Sequence, residues 1–193
     1  VCTQCSGPMP MMHRSDRKYC SRACEAMAYR ARRAAQAPEL PGELTARRRW
    51  VRRSATKVPL TTSGRLASST DPGTWSTYRQ AEQSDIGDGM GFVLAAGDGI
   101  VCIDLDHCLA GSGLAGWAKP IVEQAAGTYV EVSPSGTGLH LWGRGEVARG
   151  RKIRRGDVAI EVYGRSRYIA MGHRYANAPL VLADLSDLVD SLG

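Results

Sequence analysis

The chain has 193 residues, 43% of them hydrophobic and 23% charged, a balance that suits one globular core with a small appendage and excludes a disordered or fibrous polymer. It holds no apolar run long enough to cross a bilayer and no secretory leader, so a membrane or exported protein is not expected. The formal charge of +6 points to a polyanionic partner, and it is unevenly placed: residues 1–53 carry 12 Lys/Arg against 4 Asp/Glu, the remainder 13 against 15.

The first segment sets Cys2 and Cys5 against Cys20 and Cys24 across a turn-rich loop. Two close cysteine pairs supply four thiolates that can close tetrahedrally on Zn²⁺, with paired disulfides or free thiols as the alternatives. His13, in mid-loop, reads as a solvated side chain. Cys102 and Cys108 lack paired spacing and read as core or site-lining thiols. Ser21 can cap an Ala-rich, Arg-interspersed helix to about Gln36. Its Arg22, Arg30, Arg32 and Arg33 form a basic surface, either simply solvated or touching nucleic acid phosphates. The Pro38–Gly42 stretch stops that helix. The expected organisation is therefore a four-cysteine, zinc-binding module and basic helix over 1–37, a linker over 38–43 and a main domain over 44–193.

In the main domain, Arg49–Arg52 reads as a first strand. Asp71-Pro72 caps a helix to about Gln83, and Met90–Ala96 is a second strand. Gly97-Asp98-Gly99 turns the chain into Ile100–Asp106, where period-two alternation puts Val101, Ile103 and Leu105 on one face and Cys102, Asp104 and Asp106 on the other. Two carboxylates side by side repel unless a cation or proton offsets them. A helix is expected around Gly116–Ala126, then a strand Tyr129–Val132. The glycine-rich loop Ser133–Gly138 follows, a type that brings backbone N–H groups close to a phosphate.

The next strand, Leu139–Trp142, places His140 and Trp142 opposite two leucines. In Val158–Tyr163, Glu161 lies opposite Val158, Ile160 and Val162. Arg167–Gly172 reads as a partner strand and Leu180–Leu192 as a closing helix. A second basic cluster contains Arg149, Arg151, Lys152, Arg154 and Arg155. If the Asp104, His140 and Glu161 strands are neighbours, three carboxylates can hold divalent ions while His140 and the Ser135 loop take a triphosphate. Metal-assisted phosphoryl or nucleotidyl transfer needs that grouping. A nuclease or phosphoesterase using the same carboxylates stays open, as does a non-catalytic zinc-bearing DNA-binding module. Of the four tryptophans, Trp142 is the one expected to stack on template bases.

Ile103-Asp104-Leu105-Asp106-His107-Cys108, Ser133-Pro134-Ser135-Gly136-Thr137-Gly138-Leu139-His140, and Ile160-Glu161-Val162-Tyr163 with Arg167-Tyr168 together resemble the three motifs of the archaeo-eukaryotic primase superfamily. More narrowly they resemble the primase–polymerase domains of phage and plasmid replication proteins, over about Trp50 to Gly172. The resemblance implies an α+β catalytic core on an RRM-like antiparallel or mixed sheet. It implies that Asp104, Asp106 and Glu161 carry catalytic Mg²⁺ or Mn²⁺, and that His140, Ser135, Gly136, Gly138 and Arg167 meet the incoming NTP or dNTP. Arg154 and Arg155 join the basic helix as nucleic-acid-binding residues. Relatives build and extend primers on single-stranded DNA, in many cases with a helicase in the same polypeptide, which implies a cytoplasmic setting in a bacterial host.

Overall fold

In the computed structural model the described residues are 1–11, 14, 16–35, 39–111 and 113–192. The chain divides into two compact units, residues 1–38 and 39–193. His13 lies outside the described residues. No helix among the described residues is long and apolar enough to cross a membrane.

The first unit is built around the cysteines and α1 (Arg22–Ala35). Ser21 caps α1 as expected, its Oγ accepting from the Cys24 backbone N–H at 3.2 Å. The loop before it is tied at both ends: the Cys2 amide donates to the Gly7 carbonyl at 2.9 Å and the Thr3 amide to the Lys18 carbonyl at 3.0 Å.

The second unit is α+β, and every strand ladder in it is antiparallel. Its elements are α2 (Gly42–Thr45), β1 (Trp50–Arg53), β2 (Pro59–Leu60), a 3₁₀ turn (Pro72–Thr74), α3 (Tyr78–Glu82), β3 (Gly89–Leu94), β4 (Ile100–Leu105), β5 (Leu109–Ala110), β6 (Gly113–Leu114), α4 (Lys119–Gln124), β7 (Tyr129–Val132), β8 (Leu139–Arg144), β9 (Arg151–Arg155), β10 (Val158–Tyr163), β11 (Arg167–Ala170), β12 (His173–Arg174) and α5 (Ser186–Ser191). Six strands form one sheet in the order β12-β7-β8-β4-β10-β9, and four form another in the order β11-β3-β1-β2.

Alternation decides what each face of the larger sheet meets. Val101, Ile103, Leu105, Leu139, Leu141, Ile160 and Val162 pack with Ile121 of α4 and Leu188 and Val189 of α5. The opposite side chains, Ile100, Cys102, Tyr129, Trp142 and Tyr163, pack with Trp50, Phe92 and Leu94 of the smaller sheet. Edge-on contacts of Phe92 with Trp50 and Trp142, at 5.3 and 5.7 Å between ring centroids, tie the two sheets together. Truncating one such buried aliphatic as Leu105→Ala costs about 2–5 kcal/mol. Asp104, His140 and Glu161 share the second face, beside this core.

Several expectations need correction. The helix expected from Asp71 to Gln83 is two pieces. Asp71 does cap the 3₁₀ turn, but Trp75 then extends to bury its ring beside Val51 and Val93. Ser76 pairs with Trp50, and a capping box of Thr77 and Gln80 starts α3 afresh. The closing helix is confined to α5 because residues 181–185 run extended, their backbone bonding to Tyr129 and Arg144. The basic cluster at 151–155 is strand β9, which pairs with β10 on the side away from β4. The segment expected to pair there, β11, lies in the other sheet against β3. Trp142 is fully buried, donates Nε1–H to Glu131 at 3.2 Å, and is unavailable for stacking on a base.

Candidate active site

Register across the six-stranded sheet places one polar residue per strand in a single row. Arg174 pairs with Glu131, Glu131 with His140, His140 with Asp104, Asp104 with Glu161, and Glu161 with Lys152. Cross-strand partners point to the same face, so the row runs cation, carboxylate, imidazole, carboxylate, carboxylate, cation. The three strands carrying Asp104, His140 and Glu161 are immediate neighbours. Asp106 lies just past the end of β4, its amide held by the Ala159 carbonyl at 2.9 Å.

The row opens into a cleft of about 620 Å³. Asp104, Asp106, His140 and Glu161 form one wall, while Arg167, Tyr168 and Ile169 of β11 and Lys57 of the β1–β2 turn come from the smaller sheet. Ser135 is not on this wall, although Pro134 of the same loop is. Its hydroxyl lies between those of Ser133 and Thr137, at 2.9 and 3.1 Å. Gly138 is needed where it stands, because a Cβ there would come within 2.8 Å of the Leu105 carbonyl. Gly136 adopts φ +77, a conformation glycine enters without steric cost.

His140 is held from behind. Its Nδ1 lies 2.8 Å from Glu131 Oε1, and since a carboxylate only accepts, Nδ1 carries the proton there. Nε2 is left facing Asp104 Oδ1 at 3.7 Å, longer than a hydrogen bond. Glu131 is fully buried and also lies within 3.4 Å of the Tyr129 hydroxyl. Burial opposes charge on the ring, but the hydrogen bond to Glu131 and the charges of Glu131 and Asp104 outweigh it and raise the His140 pKa.

The acidic side chains differ in environment. Burial, followed by the repulsion of Asp106 and Glu161, raises the Asp104 pKa, with His140 acting in the other direction. Asp104 Oδ1 is buried without a hydrogen-bond partner. Glu161 is also penalised by burial, yet bonds from Tyr163 and Lys152 and the charge of Arg154 leave its pKa lowered. Tyr163 donates its hydroxyl to Glu161 Oε2 at 2.5 Å, and Lys152 Nζ and Arg154 both lie 2.9 Å from Oε1. Arg154 also reaches Asp106 at 3.2 Å, so it bridges two carboxylates and does not project as an open nucleic-acid contact. Arg155 is exposed at the end of β9.

Hard carboxylate oxygens suit Mg²⁺ or Mn²⁺, and the orphaned Asp104 oxygen is the donor most in need of a cation. Asp106 and Glu161 fit such an ion only once Arg154 gives way. Among the described residues, the group of three or more potential ligands already gathered is the cysteine set: the Sγ atoms of Cys2, Cys5, Cys20 and Cys24 lie within 4.8 Å of one another. Separations of 3.7 Å (Cys5–Cys20) and 3.5 Å (Cys20–Cys24) exclude disulfides, whose sulfurs bond at about 2.05 Å. Four thiolates around one Zn²⁺, with Zn–S bonds of about 2.3 Å, sit at about this spacing. The amide of Cys20 lowers the Cys2 thiol to about 6. Arg22 is exposed beside the set; the side chains of Arg30, Arg32 and Arg33 lie outside the described residues.

Two residues of the site, one buried behind His140 and one on the far wall of the cleft, escaped sequence reading. Glu131 looked like the polar member of an ordinary strand; only its pairing with His140 gives it meaning. Lys57 adopts φ +63, a left-handed conformation costing about 1–2 kcal/mol outside glycine. The turn enforces it through Lys57 N–H to the Ser54 carbonyl at 3.0 Å and Val58 N–H to Ser54 Oγ at 3.1 Å.

Carboxylates, an imidazole and cations gathered on one sheet face at the mouth of a cleft are groups chemically able to hold divalent ions and phosphates. The chain is 35% identical over 132 residues to a DNA primase-polymerase of Nitratiruptor phage NrS-1, a match covering 63% of this chain and 18% of that protein. The chain is thus similar over that stretch to a primase–polymerase, and spans under a fifth of the length of that curated relative. No family model matches the chain.

Proposed function

We propose that this chain is the catalytic region of a template-directed DNA primase–polymerase that makes and extends primers on single-stranded DNA. The observation that carries the reading is the adjacency of Asp104, His140 and Glu161 in one row at the cleft, with Asp106 one step along. In this reading Asp104, Asp106 and Glu161 hold Mg²⁺ or Mn²⁺, which supply charge to the attacking and leaving oxygens. His140, fixed through Nδ1, turns Nε2 toward the nucleotide phosphates. Arg167 and Lys57 add positive charge from the opposite wall, and the Ser135–Gly136–Gly138 loop borders the cleft through Pro134. A primer 3′-hydroxyl gives its proton to water and its oxygen forms the new bond to the α-phosphorus as the bond to the bridging oxygen breaks, releasing pyrophosphate.

Within this proposal the sheet that carries the row belongs to an RRM-like primase core. Cys2, Cys5, Cys20 and Cys24 bind structural Zn²⁺, and the basic residues Arg22, Arg30, Arg32, Arg33 and Arg155 face nucleic acid. A helicase in the same polypeptide of a phage or plasmid replication protein, acting in the bacterial cytoplasm, completes the setting. The test is incubation of single-stranded DNA with Mg²⁺ or Mn²⁺, with and without nucleotides. Nucleotide-dependent lengthening supports the proposal; shortening without nucleotides would instead make the same carboxylates those of a nuclease.

A further inference from the structure

Beyond the cleft, the turn between β10 and β11 carries a second concavity of about 380 Å³, lined by Arg149, Arg165, Ser166 and Arg167 over the ring of Tyr163. Ser166 and Arg167 line the catalytic cleft as well, so the two hollows adjoin along this turn. Arg167 is the joint between them: its guanidinium lies 4.6 Å from the centre of the Tyr163 ring and 3.8 Å from Glu161. The turn is tightly specified. Ser166 adopts φ +52, and a Cβ on Gly150 would come within 2.7 Å of the Tyr163 ring.

Arg149 and Arg165 are exposed and, among the described residues, make no ion pair, whereas Lys152 and Arg154 are committed to Glu161 and Asp106. Guanidinium groups around a hollow that no ion pair engages are the electrostatic footprint of a phosphate backbone. Past Arg165 and Ala148 the surface continues into a smaller hollow of about 300 Å³ with Gly97, Gly145 and Gly164 in its lining; Glu146 is the acidic group there.

We propose that Arg165 and Arg167 of the β10–β11 turn, with Arg149 of the loop leading into β9, form the track along which single-stranded DNA runs to the catalytic cleft. This rests on the nucleotidyl-transfer reading of the adjoining cleft. It relocates the strand contact in this unit from Arg154, which two carboxylates engage, to Arg149 and Arg165, which no ion pair among the described residues engages, with Arg167 joining them to the cleft.

The test is fluorescence anisotropy of a labelled single-stranded oligonucleotide with the full chain, titrated across a range of salt concentrations. Arg149→Ala/Arg165→Ala is compared with Arg79→Ala/Lys119→Ala, which removes the same charge from α3 and α4. The track predicts that the first double variant binds roughly tenfold more weakly and lowers the slope of log K against log salt by about 1.4, or about 0.7 per lost phosphate contact on a single strand. The control should keep the wild-type slope. Equal losses in the two variants, an unchanged slope in the first, or no DNA binding by the wild type would overturn it. Mn²⁺-dependent binding of a fluorescent nucleoside triphosphate, measured on the same samples, reports on the cleft separately. It should be retained in both variants, and its absence from the wild type would refute the nucleotidyl-transfer reading whatever the anisotropy shows.

Discussion

Replacing Glu131 by leucine keeps a similar volume but removes the acceptor that His140 Nδ1–H and Trp142 Nε1–H share, at 2.8 and 3.2 Å. Both donors are buried, and each one stranded costs about 1–3 kcal/mol. Together they give about 2–6 kcal/mol, in line with the about 3–5 kcal/mol lost when one partner of a buried charged pair is removed. Glutamine behaves differently: its carbonyl oxygen can occupy the Oε1 position and accept both bonds, while its amide faces the Tyr129 hydroxyl, which can turn to accept. Only charge assistance is lost, about 1–2 kcal/mol in all. Urea denaturation should therefore rank wild type above Glu131→Gln above Glu131→Leu. The nucleotide KM should rise far more in the leucine variant, where nothing aims Nε2 at the cleft. A leucine variant within about 0.5 kcal/mol of wild type, the range of an unremarkable surface change, would refute the reasoning.

Arg154→Ala should tighten Mn²⁺ binding in the absence of nucleotide by roughly fivefold, because an exposed ion pair worth about 1 kcal/mol no longer competes for Asp106 and Glu161; free Mn²⁺ measured by electron paramagnetic resonance checks this, and weaker binding would contradict it. Gly138→Ala drives a methyl against the Leu105 carbonyl, so denaturation should show a loss of about 1–3 kcal/mol, whereas Gly136→Ala, whose Cβ meets open space, should cost only about 1 kcal/mol for its left-handed backbone. Metal analysis should find one zinc per chain, and a strong chelator should remove it with loss of the helical circular dichroism of residues 22–35, since structural zinc sites fold with their ion. Acid should weaken the Glu43–Arg144 pair. The hydrogen bond from Arg144 lowers the Glu43 pKa, so this contribution is present above the ordinary carboxylate range and fades as pH falls through it. In Glu43→Gln the acid limb of the stability profile should be shallower.

Alternation alone placed Asp104, His140 and Glu161 on the faces they occupy, because each strand puts aliphatic side chains on the helix-covered side. Sequence could not give the neighbour order of those strands, which depends on long-range pairing. Glu131 and Lys57 were missed for that reason: the first matters only through the strand beside it, the second only through a turn that delivers it across the cleft. The breaks at Trp75 and at residues 181–185 were illegible because an aromatic ring and an edge of backbone hydrogen bonds, both satisfied in three dimensions, outweighed local helix propensity. Trp142 was misjudged because the face it shares with His140 is only partly cleft; one pair of residues along β8 the same face is core.

The central claim, that the row containing His140, Asp104 and Glu161 is a template-directed nucleotidyl-transfer site, is tested most directly by labelled-nucleotide incorporation on homopolymeric single-stranded templates with Mg²⁺ or Mn²⁺. Wild type should incorporate only the nucleotide complementary to each template, and Asp104→Ala/Asp106→Ala, folded by circular dichroism, should incorporate none. Incorporation retained by that double variant, or independent of template identity, would contradict the claim.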